Sequence, residues 1–291
     1  MPSTRDIRRR IKGVKNIKQV TRAMNMIAAA RLRRAQGKAE SARPYAERLA
    51  QILQDVQAGG GNAKHPLLVK REVRRVGLLL ITSDRGLCGA FNSNVVREAS
   101  QFLAKQTAPV GFVTVGKKGR DFFRVRGATL DEHFAQPSRD VRLEEVGAIS
   151  KRVMADYASG KYDQIYVGYS RFISVLKSAP VVTQLLPIAS TGGEQPSAEQ
   201  KSAYEFEPTG EVLMNTLLPQ YVEVLIYRAL VESLASEQAA RMVAMKAATD
   251  SASDMIEGLT RDYNRIRQTS ITTQLLEVVS GADALAKARR G

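Results

Sequence analysis

Any chemistry in this chain would have to be built from few parts. Of its 291 residues two are histidines, His65 and His133, and one is a cysteine, Cys88. A zinc site needs His, Cys or acidic ligands at short spacings, and neither histidine has another His or Cys so placed. A thiol nucleophile needs a base beside it, and Cys88 has no plausible histidine partner. No segment fits the Walker phosphate loop, and no G-x-G-x-x-G occurs. The stretch with the make-up of an anion cradle is DRGLCG, Asp84 to Gly89, where a strand meets a helix. Backbone amides at such a junction can hold phosphate. Two glycines can equally serve a tight turn that admits only small residues. Carboxylates are numerous, but no acid/base pair stands out by spacing. We read a chain with no active site of its own, which needs no metal and no cofactor.

Charge points to the kind of partner instead. Lys and Arg outnumber Asp and Glu to give a net charge of +15, with a pI near 10.1. A balance this basic implies nucleic acid, an anionic membrane or an acidic protein surface. One cysteine permits no internal disulfide and fits a reducing compartment. No apolar run approaches the ~20 residues of a membrane span. The start, MPSTRDIRRRIKG, is basic but lacks an apolar core and a cleavage site. Helical patterning runs on through it, so it reads as part of the fold rather than as a transit peptide.

The element that positions everything else is the C-terminal end, roughly Thr209 to Arg290. Met242, Met245, Thr249, Ala252, Ile256, Leu259, Tyr263 and Ile266 recur in steps of three and four. That is the seam of a helix paired with another helix. The seam then shifts by about one residue and resumes at Ile271, Leu275, Val278, Ala282 and Leu285, a skip that alters the supercoil without ending the helix. At ~1.5 Å per residue the segment would be roughly 110 Å long, so it needs a partner helix and other subunits around it.

Thr4 to Gln57 reads as a second long helix. Ser3 or Thr4 can cap it and Asp6 suits its first turn. Ile7, Ile11, Val14, Ile17, Val20, Met24 and Ile27 form a stripe that drifts around the helix. Small residues at Ala28, Ala29, Ala30 and Ala35 allow a close neighbour. Pro44 should kink or interrupt the helix, after which Leu49, Ile52, Leu53 and Val56 continue an apolar face. Between Arg5 and Lys38 there are twelve Lys or Arg and one acid, Asp6. That like-charge density is self-repulsive without an acidic counter-surface.

Between the helices the pattern changes. AGGGNAK, Ala58 to Lys64, is a break. Strands are expected at Val76 to Ser83, Val110 to Val115, Ala128 to Phe134, Gln164 to Tyr169 and Pro180 to Pro187, the last at an edge because of its prolines. Helices are expected from Asn92 or Ser93, as caps, to Lys105, at Gly116 to Arg126, and at Leu143 to Ser159. Ala189 to Ala203 reads as a loop, and Tyr204 to Phe206 as a last short strand. Strand-helix alternation argues for a small, mostly parallel sheet. The fold class is therefore α/β plus a long antiparallel coiled coil. A small Rossmann-like domain at 70–207 is inserted between terminal helices at 1–58 and 208–291.

Three stretches resemble the gamma subunit of F-type ATP synthases, with similarity from about Arg5 to Leu285. They are RAMNMIAAARLRRAQ at Arg22 to Gln36, TSDRGLCGAFN at Thr82 to Asn92, and SEQAARMVAMKAATD at Ser236 to Asp250 followed by SITTQLLEVVSGADAL at Ser270 to Leu285. The resemblance implies a central rotor shaft of a proton- or sodium-translocating enzyme. Its terminal helices would pair inside a ring of three alpha and three beta subunits, which hold the nucleotide chemistry. Its α/β domain would meet the epsilon subunit and the membrane c ring. The single cysteine suits a bacterial form without the chloroplast regulatory insert, at the cytoplasmic face of the plasma membrane.

By position in those motifs, Met24, Arg241, Gln268 and Thr272 fall where the family's shaft meets the beta subunits, and Cys88 lies in the turn facing the lower ring. Gln274 stands where the family usually has Glu, which removes a charge-assisted bond. Arg241, one step from the seam residue Met242, should point sideways toward a carboxylate on beta. The alternative is a basic coiled-coil protein that binds nucleic acid, although no aromatic lies between Arg5 and Lys38 to stack on bases.

Overall fold

The computed structural model describes residues 3–58, 65–137, 141–188 and 210–288. Two long helices enclose the rest in sequence: α1 at Thr4–Ala58 and α5 at Gly210–Ala288. Between them lie β1 (Val76–Ile81), α2 (Phe91–Lys105), β2 (Val110–Val115), α3 (Lys117–Val125), β3 (Thr129–Phe134), α4 (Leu143–Ala158), β4 (Gln164–Phe172) and β5 (Ser178–Leu186). The chain divides into two compact units, Met1–Ile27 with Val243–Gly291, and Ala28–Met242. The division thus falls inside both long helices. The reason is packing: α1 from Ala28 onward and α5 up to Ala239 bury side chains in the same core as the sheet.

In the unit Ala28–Met242 the strand order is β3-β2-β1-β4-β5. The first four strands are parallel and β5 is antiparallel to β4 at the edge, where Pro180 breaks no inner ladder. Every residue of β1 is buried, as both faces of a central strand are covered. Leu79 and Ile81 pack with Val146, Ile149, Val153 and Tyr157 of α4, and with α1 and α5. Leu78 and Leu80 pack on the other face with Val95, Ala99 and Phe123 of α2 and α3. Crossovers through α2 and α3 step outward from β1, whereas α4 carries the chain back past β1 to β4. The topological switch point therefore lies between β1 and β4.

Some local expectations change. Ser3 caps α1, its hydroxyl accepting from the Asp6 amide at 3.2 Å while the Asp6 carboxylate accepts from the Ser3 amide at 3.2 Å. Pro44 does not interrupt α1. Ala46, Leu49, Leu53 and Val56 beyond it are buried, and that packing outweighs one lost backbone bond. Ile52 is 39% exposed, so the apolar face there is narrower than expected. Asn92 does not cap α2; its side chain turns back to Ser83. The expected strand at Tyr204 to Phe206, the loop at Ala189 to Ala203 and most of the break after Ala58 lie outside the described residues.

In the unit Met1–Ile27 with Val243–Gly291 the two helices run antiparallel. Thr21 and Thr249 share a hydroxyl hydrogen bond of 2.7 Å, and Arg8 donates to the Tyr263 hydroxyl at 2.5 Å. This register puts Val14 level with Ile256 and Ile11 level with Leu259. The α5 seam follows its expected residues, with Met245 and Ala252 buried and Ile256, Leu259, Tyr263 and Ile266 half-buried. The α1 seam does not follow the apolar stripe. It runs through Ile7, Ile11, Val14, Lys18 and Thr21, in unbroken steps of four and three. Ile17, Val20 and Ile27 are 57%, 58% and 53% exposed. They lie one residue off the heptad, because close helix approach favours the slender Thr21 over bulkier neighbours. Beyond Ile266 the second expected seam has no partner among the described residues: α1 begins at Thr4, near the level of Ile266, and Ile271, Leu275 and Val278 are exposed.

Candidate subunit-contact site

Two of the three motifs meet in space. The turn after β1, Thr82 to Asn92, lies against α5 between Ser236 and Arg241. Asn92 organises the turn from within: its side-chain oxygen accepts from the Ser83 amide at 3.0 Å, and its amide group donates to the Ser83 hydroxyl at 2.7 Å and to Cys88 Sγ at 3.2 Å. Gly89 has φ 54° and Leu87 has φ 63°, so the chain doubles back through left-handed residues. Leu87 thereby stands 64% exposed while Cys88 is 2% exposed. Burial pushes the Cys88 thiol up from its ordinary value, which keeps it protonated and unreactive near neutrality. The turn amides at Ser83 and Asp84 are already held by Asn92 and by Gln136. Gly89, with its positive φ, therefore serves the turn, while Gly86 has room for a side chain and neither glycine is tied to a ligand.

On α5 the facing surface is polar and buried. Glu232, Ser233, Ser236, Glu237, Gln238 and Arg241 are each no more than 9% exposed. Ser236 donates to the Ser170 carbonyl at the end of β4, at 3.0 Å. Arg241 pairs with Glu237 at 2.5 Å and donates to the Gly86 carbonyl at 3.3 Å. Gln136, after β3, donates to the other Glu237 oxygen and accepts from the Asp84 amide at 3.1 Å. Glu232, Ser233 and Gln238 each leave one buried oxygen without a hydrogen-bond partner among the described residues. The helix thus crosses the carboxyl ends of the strands beside the switch point, the place where open α/β sheets bind ligands.

The expected contact residues separate into two groups. Gln268, Thr272 and Gln274 are exposed and Met24 is half-buried; the Thr272 hydroxyl donates to the Gln268 carbonyl at 3.0 Å along its own helix. Cys88 and Arg241 do not present their side chains. Arg241 does not point sideways into solvent, because Glu237, one turn earlier, draws its guanidinium inward. The Glu237 to Arg241 spacing of four was the signal available in the sequence. Leu87 was missed as an outward residue, since nothing in its type announces a positive φ.

The histidines have structural settings. His65 Nδ1 accepts from the Leu67 amide at 3.2 Å, and His133 Nδ1 lies 3.2 Å from the Thr114 hydroxyl. Burial lowers both pKa values from the ordinary histidine range. Among the described residues no group of three or more His, Cys, Asp or Glu could hold a metal, and no helix is long and apolar enough to cross a membrane.

A family profile described as ATP synthase matches residues 3–285. The ATP synthase gamma chain of Pelotomaculum thermopropionicum is 45% identical over 285 residues, covering 98% of this chain and all of the relative. That of Heliobacterium modesticaldum is 45% identical over 290 residues, with the same coverage. Among solved structures, a chain in the central stalk and c-ring structure of the Tetrahymena thermophila mitochondrial ATP synthase is 29% identical. It matches with a TM-score of 0.61 over 79% of this chain and 99% of that one. A chain from the Euglena gracilis mitochondrial enzyme, at 17% identity, covers 99% of this chain and 96% of that one with a TM-score of 0.72, which speaks to the fold alone. With relatives this similar along essentially its whole length, the chain belongs to the ATP synthase gamma chain family.

Proposed function

We propose that this chain is the central shaft of a rotary, proton- or sodium-translocating ATP synthase and performs no catalysis itself. The observation that carries this is the end of α5. In a chain of this family, Ile271, Leu275, Leu276, Val278 and Val279 stand 49% to 70% exposed with no intrachain partner among the described residues. An apolar helix end of that kind calls for a surrounding sleeve, here the ring of three alpha and three beta subunits. The basic α1, with Ile17, Val20, Met26 and Ile27 facing outward, offers the same ring both apolar and cationic contacts. The sheet unit would meet the epsilon subunit and the c ring at the cytoplasmic face of the bacterial plasma membrane.

A shaft of this construction works by being unequal around its axis. Beyond Ile266 only α5 remains among the described residues, so each beta subunit meets a different surface as the shaft turns. Contacts that differ between conformations shift which conformation is populated. Met24, Gln268, Thr272 and Gln274 are proposed as such contacts, and at the turn Leu87 takes the place of Cys88. The relatives give no support to the nucleic-acid alternative.

The test is co-expression with the alpha and beta subunits of a gamma-family enzyme. The expected result is a complex that co-purifies with this chain and hydrolyses ATP, while the chain alone does not. Failure to co-purify, with a 260 nm-absorbing contaminant that salt removes, would favour the nucleic-acid alternative and defeat the rotor reading.

A further inference from the structure

Apolar packing holds α5 on the sheet, but it sets position along and about the helix axis less sharply than hydrogen bonds do. Met214, Leu218, Val222, Ile226 and Leu230 are all buried, but hydrophobic contact is non-directional. Glu237 is directional. Its side chain is 4% exposed, and it accepts from three donors. One oxygen takes Arg241 at 2.5 Å and Gln238 at 3.3 Å, and the other takes Gln136. Two of those donors lead onward. Gln136 holds the Asp84 amide, and the Asp84 carboxylate accepts from the Lys117 amide at the start of α3, at 2.9 Å. Arg241 holds the Gly86 carbonyl. One carboxylate therefore ties α5 to the segments that follow β1, β2 and β3.

We propose that Glu237 is a positioning residue that pins the register and rotation of α5 on the sheet unit. Given the rotor reading, on which this part rests, load between that unit and α5 passes in part through the pin, beside the Ser236 bond to the Ser170 carbonyl. Setting register is the best-attested use of a buried ion pair. The site requires a group that only accepts. Glutamine at 237 would turn an amide donor toward either Gln136 or Arg241, whichever way it flipped.

The experiment uses the full chain and Glu237→Gln, read by residue-resolved hydrogen exchange. The Asp84 amide should exchange about tenfold faster, the equivalent of one lost hydrogen bond. The Ser83 amide, held separately by Asn92, should keep its parent rate. Gln136→Ala, which cuts only the Gln136 branch, should release Asp84 in the same way and guards against a variant that fails to fold. The double swap Glu237→Arg with Arg241→Glu keeps an ion pair but can neither accept from Gln136 nor donate to Gly86. It should fail to restore Asp84 protection. In complexes reconstituted with alpha, beta and the membrane sector, Glu237→Gln should lower the coupling ions, protons or sodium, moved per ATP hydrolysed at unchanged subunit content. Parent-level protection of Asp84 in Glu237→Gln, or its return in the swap, would overturn the pin. Released Asp84 with a parent pumping ratio would overturn the role in transmitting load. Failure of the parent chain itself to assemble would count against the rotor reading alone.

Discussion

Leu87 tests whether the turn after β1 is shaped for something outside this chain. Among the described residues it is the only non-glycine with positive φ, at 63°. An L side chain in that region costs about 1–2 kcal/mol. The fold recovers little of this, because Leu87 is 64% exposed. Full burial of a leucine contributes about 1.5–3 kcal/mol, so the third that is buried contributes about 0.5–1 kcal/mol. Leu87→Gly removes the strain and that packing together, and adds a glycine entropy cost of about 0.5–1 kcal/mol. The terms nearly cancel, so stability should stay within about 1 kcal/mol of the parent. The measurement is the urea midpoint of the full chain by far-UV circular dichroism, followed by ATP-driven pumping of the coupling ion, proton or sodium, in the reconstituted complex. A side chain displayed for a partner predicts an unmoved midpoint and pumping reduced severalfold. A loss beyond about 2 kcal/mol in the isolated chain would show that Leu87 packs for the fold. Parent-level pumping would show that its side chain touches nothing that matters.

Other outcomes follow from the same geometry. Leu259→Asp places a charge in the seam level with Ile11 and should cost at least about 1–2 kcal/mol locally. Faster hydrogen exchange across residues 8–21 reads it, and parent-like exchange there would contradict the paired helices. Cys88 in the folded chain should react with iodoacetamide at least about tenfold slower than in the urea-unfolded chain. Its folded pKa is raised, so the neutral thiol favours the fold below the ordinary thiol value. That stability should be lost as pH climbs above about 9. Alkylation at equal rates in both states would place Cys88 at the surface. Gln274→Glu, on an exposed face, should leave the melting temperature unchanged and alter ATP turnover modestly. A drop in melting temperature would give residue 274 a folding role instead.

Much of the fold was legible because burial and residue type agreed. β1 is a continuous apolar run and is buried along its whole length. The α5 seam from Met245 to Ile266 is apolar, small or aromatic at nearly every step, so its period showed. The α1 seam misled because two surfaces of that helix are apolar for different reasons. Lys18 and Thr21 line the close approach to α5, while Ile17 and Val20 face outward. Hydrophobic periodicity cannot tell an apolar side chain left exposed from one packed on its own partner helix. The stretch from Glu232 to Arg241 failed in the opposite way: it is buried but polar, so no apolar period marks it. Its partners, Gln136 and the Gly86 carbonyl, are distant in sequence, and only the folded sheet brings them together. Asn92 was read as a cap by its type and position, whereas the turn required its side chain elsewhere.

The crossing of α5 over the strand ends has a consequence for control. In sheets of this order the crevice at the switch point is a vacancy that a nucleotide or metabolite can occupy. Here Ser236 bonds the end of β4 and Arg241 bonds the turn after β1, so the helix behaves as a ligand attached to its own receptor. A tethered ligand competes at an effective concentration that can reach the millimolar range or more. A free molecule would have to match that and also unseat a helix packed through Ile226, Leu230 and Leu234. The sheet is in this sense permanently occupied. A diffusible effector therefore finds the seat already taken.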